Sequence, residues 1–383
     1  MNARERFHAT MHYLPRDRSP IMDFGFWDET YVVWREQGLP KDIDPSDYFG
    51  ADPQWIDVGI NPGLFPAFTY EVVEDHGDSE LVRDEEGVLK ERGKFMGSIP
   101  RQIGHTLTDR ESWKREFLPR LDPATPGRYP ADWTERVKRY SDPNRDYPIG
   151  LNCGSLYGWI RNWMGMENLS MLVYDDRPFF EEMVETVANC IIATITPVLE
   201  SGVQIDYASW WEDMCYRGGP LLSPAIFKQV LVPHYKRITS LLRKHGVDVS
   251  VLDCDGEITH LLPLWLDAGV NCMFPIEIGV WGADPVAFRK TYGKELLMIG
   301  GVSKVTLAQS YPTISAEVER LAPLVEEGGY IPLPDHRVPP DVSLSNYAYY
   351  VNEARRVWGK GLPNMRPLLA DRKPDSRVPG EIL

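Results

Sequence analysis

From about residue 149 onward, short apolar or β-branched runs alternate with longer segments whose apolar residues recur at helical spacing. That alternation marks βα units laid into a parallel sheet. The strand-like runs are IGLNC (149–153), VQIDYAS (203–209), VDVSVLD (247–253), VNCMFP (270–275), LLMIGG (296–301) and YIPLP (330–334). An earlier run, SPIMDFGF (19–26), is expected to be the first strand, and a weaker one lies near 94–99.

The intervening helices carry boundary signals. Asp176 precedes Arg177-Pro178, and Phe180, Met183, Val187, Ile191 and Ile195 keep helical spacing up to Gly202. Ser223-Pro224 opens the next helix and Gly246 closes it, with Pro233 predicting a kink or break inside. Asp284-Pro285 and Gly293 bracket a short helix, and Val318, Leu321, Leu324 and Val325 share one face before Gly328-Gly329. A last helix over about 343–358 places Tyr347, Tyr350, Val351, Ala354 and Val357 on its inner stripe.

An open doubly wound sheet would alternate in the same way. No strand, however, is followed by GxGxxG or GxxxxGK[ST], so the pattern favours a TIM (β/α)8 barrel. Residues 27–148 are less regular and include an acidic run at 71–86. They are expected to be a long N-terminal excursion over the barrel mouth rather than a second domain. The expected organisation is one domain over 1–360, followed by a tail, 361–383, that is a surface strap or disordered.

Composition narrows the function classes. Forty-one Lys+Arg against 56 Asp+Glu give a formal charge of −15, a field that repels nucleic-acid phosphates. No uninterrupted apolar stretch approaches the roughly 18–20 residues of a membrane span, and the N-terminal residues have no apolar signal region. Five widely spaced cysteines make no disulfide framework. The expectation is a soluble, cytoplasmic protein without nucleic-acid or membrane partners.

In such a barrel, chemistry belongs at the C-terminal strand ends. These bear Asp23; Asn152; Tyr207 with Trp210, Trp211 and Glu212; Asp253-Cys254-Asp255; Glu277; and His336. Like charges converging on one cavity repel, so a cation or protons must neutralise them. Asp253, Cys254, Asp255, Glu277 and His336 therefore form a candidate divalent-metal set, with donor types that suit zinc. No CxxC, HxH or HExxH fixes two ligands locally. Trp210 and Trp211 are adjacent in a strand, so both cannot face one core, and one of them is expected to wall a flat or apolar substrate. Lys304 is read as a solvated first-turn lysine in preference to a Schiff-base lysine, and Cys272 as core.

The opening NARERFHATMHYLPRDRSPI and the segments DCDGEITHLLPLWLDAGVNCMFPIE, YGKELLMIGGVSK and EEGGYIPLPDHRVPPDVSLSNYAYY resemble the uroporphyrinogen decarboxylase superfamily. The resemblance spans roughly 1–25 and 145–358 and implies a TIM barrel. The superfamily includes cofactor-free porphyrinogen decarboxylases and zinc-dependent methyltransferases that serve a corrinoid protein. The decarboxylases carry an arginine-rich stretch after the first strand, whereas this chain reads DFGFWDETYVVW, acidic and without arginine before Arg35. The methyltransferases carry His-x-Cys after a middle strand and a late Cys. Here only Cys254 matches, and Asp335-His336 stands near the end.

The resemblance thus implies a zinc-dependent methyltransferase that moves a methyl group from a small methoxylated or methylated donor to a corrinoid on a partner protein. Asp253, Asp255, Glu212 and Tyr207 are the expected catalytic groups. Asp23, Asn152, Trp210 and Trp211 would bind substrate, and Cys254, Glu277 and His336 would hold the metal. A cofactor-free decarboxylase or lyase acting on a non-porphyrin carboxylate is the alternative, and a non-catalytic barrel that binds a corrinoid or tetrapyrrole is the third reading. Barrels of this type often pair, so a homodimer is also an expectation.

Overall fold

The computed structural model describes residues 1–52, 55–94 and 100–360. The possible strand at 94–99 and the tail 361–383 fall almost entirely outside the described residues.

Seven parallel strands form one curled sheet in the order β1 (Ile56–Asp57), β2 (Ile149–Asn152), β3 (Tyr207–Trp211), β4 (Ser250–Asp253), β5 (Cys272–Phe274), β6 (Leu297–Val302) and β7 (Tyr330–Pro334). Spatial order equals chain order, as right-handed βα crossovers produce. Together they make an α/β fold of TIM type. The six later strands sit within the runs read from the sequence or begin inside them. Both faces of such strands are covered, which is why they read as continuous apolar runs.

Residues 19–26 do not form the expected strand. They are extended, with a single parallel bridge between Phe26 and Val338. The Ile21 carbonyl accepts from the Asp52 amide (2.7 Å) and the Gly25 carbonyl from the Val338 amide (3.0 Å), so the segment lies between the two sheet edges. The ladder position beside β2 goes instead to Ile56–Asp57, through Ile56–Ile149 and Asp57–Gly150 pairing.

The helices pack outside the sheet. Arg177–Glu200 begins with Asp176 accepting from the Phe179 amide. By length and composition it could cross a membrane, yet it carries Phe180, Met183, Val187, Ile191 and Ile195 into the core, and more than half of its most apolar stretch is buried. Pro224–Lys244 continues through Pro233 without a break. Val230, Leu231, Val232, Tyr235 and Ile238 are buried on both sides of the proline, so breaking the helix would expose far more than one lost amide bond is worth.

Two apolar groups result. One lies between sheet and helices. The other fills the barrel with Tyr207, Val249, Val251, Cys272, Leu297, Ile299, Ile331 and Leu333, joined by Phe7 and Met11 of helix Ala3–Met11. That helix closes the N-terminal ends of the strands: Arg4 and His8 bond to Asp206 just before β3, at 2.8 and 2.6 Å.

Within 27–148, sequence reading missed a four-stranded antiparallel sheet: Glu71–Asp75, Ser79–Arg83, Val88–Gly93 and Arg101–His105. Its strands are dominated by charge, and only a few side chains, such as Val82 and Val88, are buried, so the period-2 signal is weak. It leans on helix Gly158–Met164, with the Asn162 side chain donating to Glu86 (3.2 Å) and the Asn162 carbonyl bonded to His105 Nδ1 (3.2 Å).

Candidate functional site

Side chains alternate across a strand, and this parity selects which residues reach the barrel axis. In β4 and the residues after it, Val251 belongs to the interior group and Leu252 to the helix-side core. Asp253 then lines an open cavity, Cys254 falls back into the helix-side core, and Asp255 returns to the site. In β3, Tyr207, Ser209 and Trp211 line the cavity. Trp210 borders it too, but its ring packs edge-on against Tyr235 (5.2 Å) and its Nε1 donates to Ser250 Oγ (2.9 Å).

The cavity has a volume of about 510 Å³. Its walls are apolar and aromatic (Met22, Phe24, Trp55, Tyr207, Trp211, Val251, Phe274, Ile299, Leu333), with Asp23, Asp57, Asn152, Ser209 and Asp253 as polar groups. Among the described residues that line it there is no Lys, Arg or His. Burial raises Asp23 and Asp57 above the usual carboxylate range. Asp253 is pushed up to about 8, first by burial and then by Asp255, Asp213 and Glu277.

Beside Asp253 lies a second cluster. Ligand atoms of Asp255, Glu277 and His336 all lie within 4.8 Å of one another, and His336 Nε2 is 3.5 Å from Asp255 Oδ2. The His336 ring stacks on Trp27 (5.6 Å) and meets Phe24 edge-on (5.4 Å). Its Nδ1 is buried with no hydrogen-bond partner among the described residues. Glu277 Oε2 accepts from the Gly256 amide (3.2 Å) and from Trp281 Nε1, while Oε1 is 3.3 Å from Lys304 Nζ. Burial and then Asp255 raise Glu277, and Lys304 opposes them. Lys304 is therefore an ion-pair partner of the cluster, not a solvated side chain.

An imidazole, two carboxylates and an orphaned buried ring nitrogen are a donor set that fits zinc or a similar divalent ion. Cys254 stands outside this set. Its thiol is raised by burial and then by its neighbour Cys215, as befits a packed thiol.

The loops carrying the cluster are tied by Asp335, which is fully buried. It accepts from the Ile278 (2.9 Å), Gly279 (3.0 Å) and Lys304 (2.9 Å) amides. Backbone strain sits at the same end of the barrel, where Asp213 (φ 46°) and Ile276 (φ 56°) are left-handed; for a β-branched isoleucine that conformation is costly.

Glu212 has a different place from the one expected. It is completely buried on the helix side, accepting from Ser155 Oγ (2.8 Å), from the Leu156, Tyr157 and Gly158 amides (2.7, 2.9 and 3.0 Å) and from the Tyr235 hydroxyl. It anchors the start of helix Gly158–Met164 and does not face the cavity. Asp57, Trp55, Phe24 and Phe274 were missed as cavity residues. The short run WIDV at 55–58 was the only local signal for the first two.

A family model described as uroporphyrinogen decarboxylase (URO-D) matches residues 129–357. No curated protein matches the chain. Among solved structures, a methyltransferase from Methanosarcina mazei aligns with a TM-score of 0.57 over 93% of this chain and 99% of its own, at 15% identity, a likeness of fold.

Proposed function

The chain belongs to the uroporphyrinogen decarboxylase (URO-D) family, and from that premise we propose that it is a cytoplasmic, zinc-dependent methyltransferase. In this reading it takes a methyl group from a small methoxylated or methylated compound and passes it to a corrinoid on a separate protein. The methyltransferase from Methanosarcina mazei, alike in fold, supports the reaction class. The observation that carries the reading is the Asp255–Glu277–His336 cluster beside a cavity without a cationic side chain among its described lining residues. A decarboxylase acting on a carboxylate would need arginine or lysine where this cavity offers Asp23, Asp57 and Asp253.

Held by Asp255, Glu277 and His336, zinc would supply Lewis acidity toward an oxygen of the donor. The chain's own groups do the rest. Phe24, Trp55, Trp211 and Phe274 exclude water from the donor. Asn152, Ser209 and Tyr207 offer hydrogen bonds that orient it. Burial and the neighbouring acids raise Asp253 to about 8 in the metal-free chain; a cation beside it favours the carboxylate form, which then faces the donor.

Elemental analysis of the purified protein tests the metal. About one zinc per chain is expected, lost in His336→Ala and kept in Cys254→Ala. A metal-free protein after zinc reconstitution, or zinc lost only with Cys254, would overturn this ligand assignment. Methyl transfer to free cob(I)alamin from panels of methoxylated and methylated compounds tests the reaction.

A further inference from the structure

The cavity combines two features that one ligand class satisfies together. Asp23, Asp57 and Asp253 line it, and none of the three forms an ion pair among the described residues. Arg136 acts on Asp57 but is not part of the lining, and no cationic side chain is among the groups acting on Asp23 or Asp253. Aromatic rings form the rest of the wall. Phe24 meets Phe274 edge-on at 4.5 Å, and Trp55 meets Tyr207 at 5.0 Å. Carboxylates set among aromatic rings without a counter-ion are costly in an empty site, and a bound cation recovers that cost. Ring faces attract a compact ammonium, and a quaternary one needs no hydrogen bonds of its own.

Tyr207 is a second, separate sign of a ligand. It is only 8% exposed and lines the cavity, yet its hydroxyl has no hydrogen-bond partner among the described residues. Room for it is kept by Gly150, where a Cβ would lie 2.5 Å from that hydroxyl. A free phenol there is placed to bond an oxygen on the ligand.

We infer that the cavity binds a small N-methylated organic cation, a tri- or tetramethylammonium head with a short oxygen-bearing arm, and that this is the methyl donor class. The inference rests on the methyltransferase reading for its second half alone. In the transfer, the C–N bond breaks with its electron pair left on nitrogen, giving a neutral amine. The reduced corrinoid supplies the pair for the new carbon–cobalt bond. Charge balances, since a cation and a cobalt(I) centre become a neutral amine and a methylcobalt(III) centre.

Calorimetric titration of the full-length protein with choline and with its neutral carbon isostere, 3,3-dimethylbutan-1-ol, tests the binding half. Choline is expected to bind at least about tenfold more tightly, as cation–π and carboxylate attraction imply. Asp23→Asn and Asp57→Asn should each erode that preference, and Tyr207→Phe should weaken choline while leaving tetramethylammonium unchanged. Equal binding of choline and its isostere, or tight binding of methoxybenzene with none of either cation, overturns the inference. Transfer to cob(I)alamin from a methoxylated compound, with no cation bound, sinks it while sparing the methyltransferase reading. A bound cation without methyl transfer, zinc being loaded, sinks that reading and the donor role while sparing the ligand class.

Discussion

Replacing Asp253 with Asn removes one ionisable group from the most crowded acidic corner of the protein. In the folded chain the Asp253 carboxyl is raised from an ordinary 3.8 to about 8, by burial and by Asp255, Asp213 and Glu277. The folded state thus binds more protons than the unfolded chain between those values, so stability falls as pH rises through that window and levels off above it. The gap between 3.8 and about 8, at about 1.4 kcal/mol per tenfold change in proton affinity, is on the order of 5 kcal/mol.

Asn cannot ionise. Asp253→Asn is therefore expected to match the parent near pH 4 and to exceed its stability by several kcal/mol at pH 9. Urea denaturation from pH 4 to pH 9, in chelator, measures this. Asp23 and Asp57 titrate in both proteins and largely cancel, so the difference curve reports position 253 together with its coupling to Asp255, Asp213 and Glu277. Added zinc should flatten that curve, because a nearby cation favours the charged carboxylate. A difference below about 1 kcal/mol across the range would refute the claim that Asp253 is protonated by its surroundings.

Three further outcomes follow from the packing. Glu212→Ala strands five buried donors, those of Ser155, Leu156, Tyr157, Gly158 and Tyr235. It should cost about 3–5 kcal/mol in chemical denaturation, and a loss under 1 kcal/mol would return Glu212 to the list of cavity residues. Gly300→Ala places a Cβ 1.7 Å from the Pro275 carbonyl oxygen at φ 106°, so a loss of about 3 kcal/mol or more, or failure to fold, is expected. Asp335→Asn turns an amide group toward backbone N–H donors that position the Glu277 and Lys304 loops. Zinc affinity, read by chelator competition in protein that is still folded, should fall about tenfold, alongside a stability loss of about 1–3 kcal/mol from the donor left unpaired; unchanged affinity would show that Asp335 does not position the cluster.

Much of the barrel was legible from the chain because its requirements are local. A strand covered on both faces must be apolar at every position, so 149–153, 296–301 and 330–334 announce themselves without a partner in view. Helix ends are equally local: Asp176 and Ser343 cap the amides within their own first turns. The gathering of strand-end acids was legible at the same level, since each stands directly after an apolar run. The charged sheet over 71–105 was not, because with few buried side chains its pattern barely differs from that of a loop.

Which of those acids meet is a different kind of question. Asp255 and Cys254 are neighbours in sequence, yet one reaches His336 and Glu277 while the other packs against Cys215. Glu212 and Trp211 divide in the same way between helix layer and cavity. The segment 19–26 looks like a strand but makes one bridge, because two residues at 56–57 take the place beside β2. The sequence by itself determined the six later strands of the parallel sheet, the main helices and the acidity of the strand ends, each written in neighbouring residues. Tertiary structure decided parity about the barrel axis and convergence of loops about 20 to 80 residues apart. Both depend on how all the strands close together, and no short window of residues contains that closure.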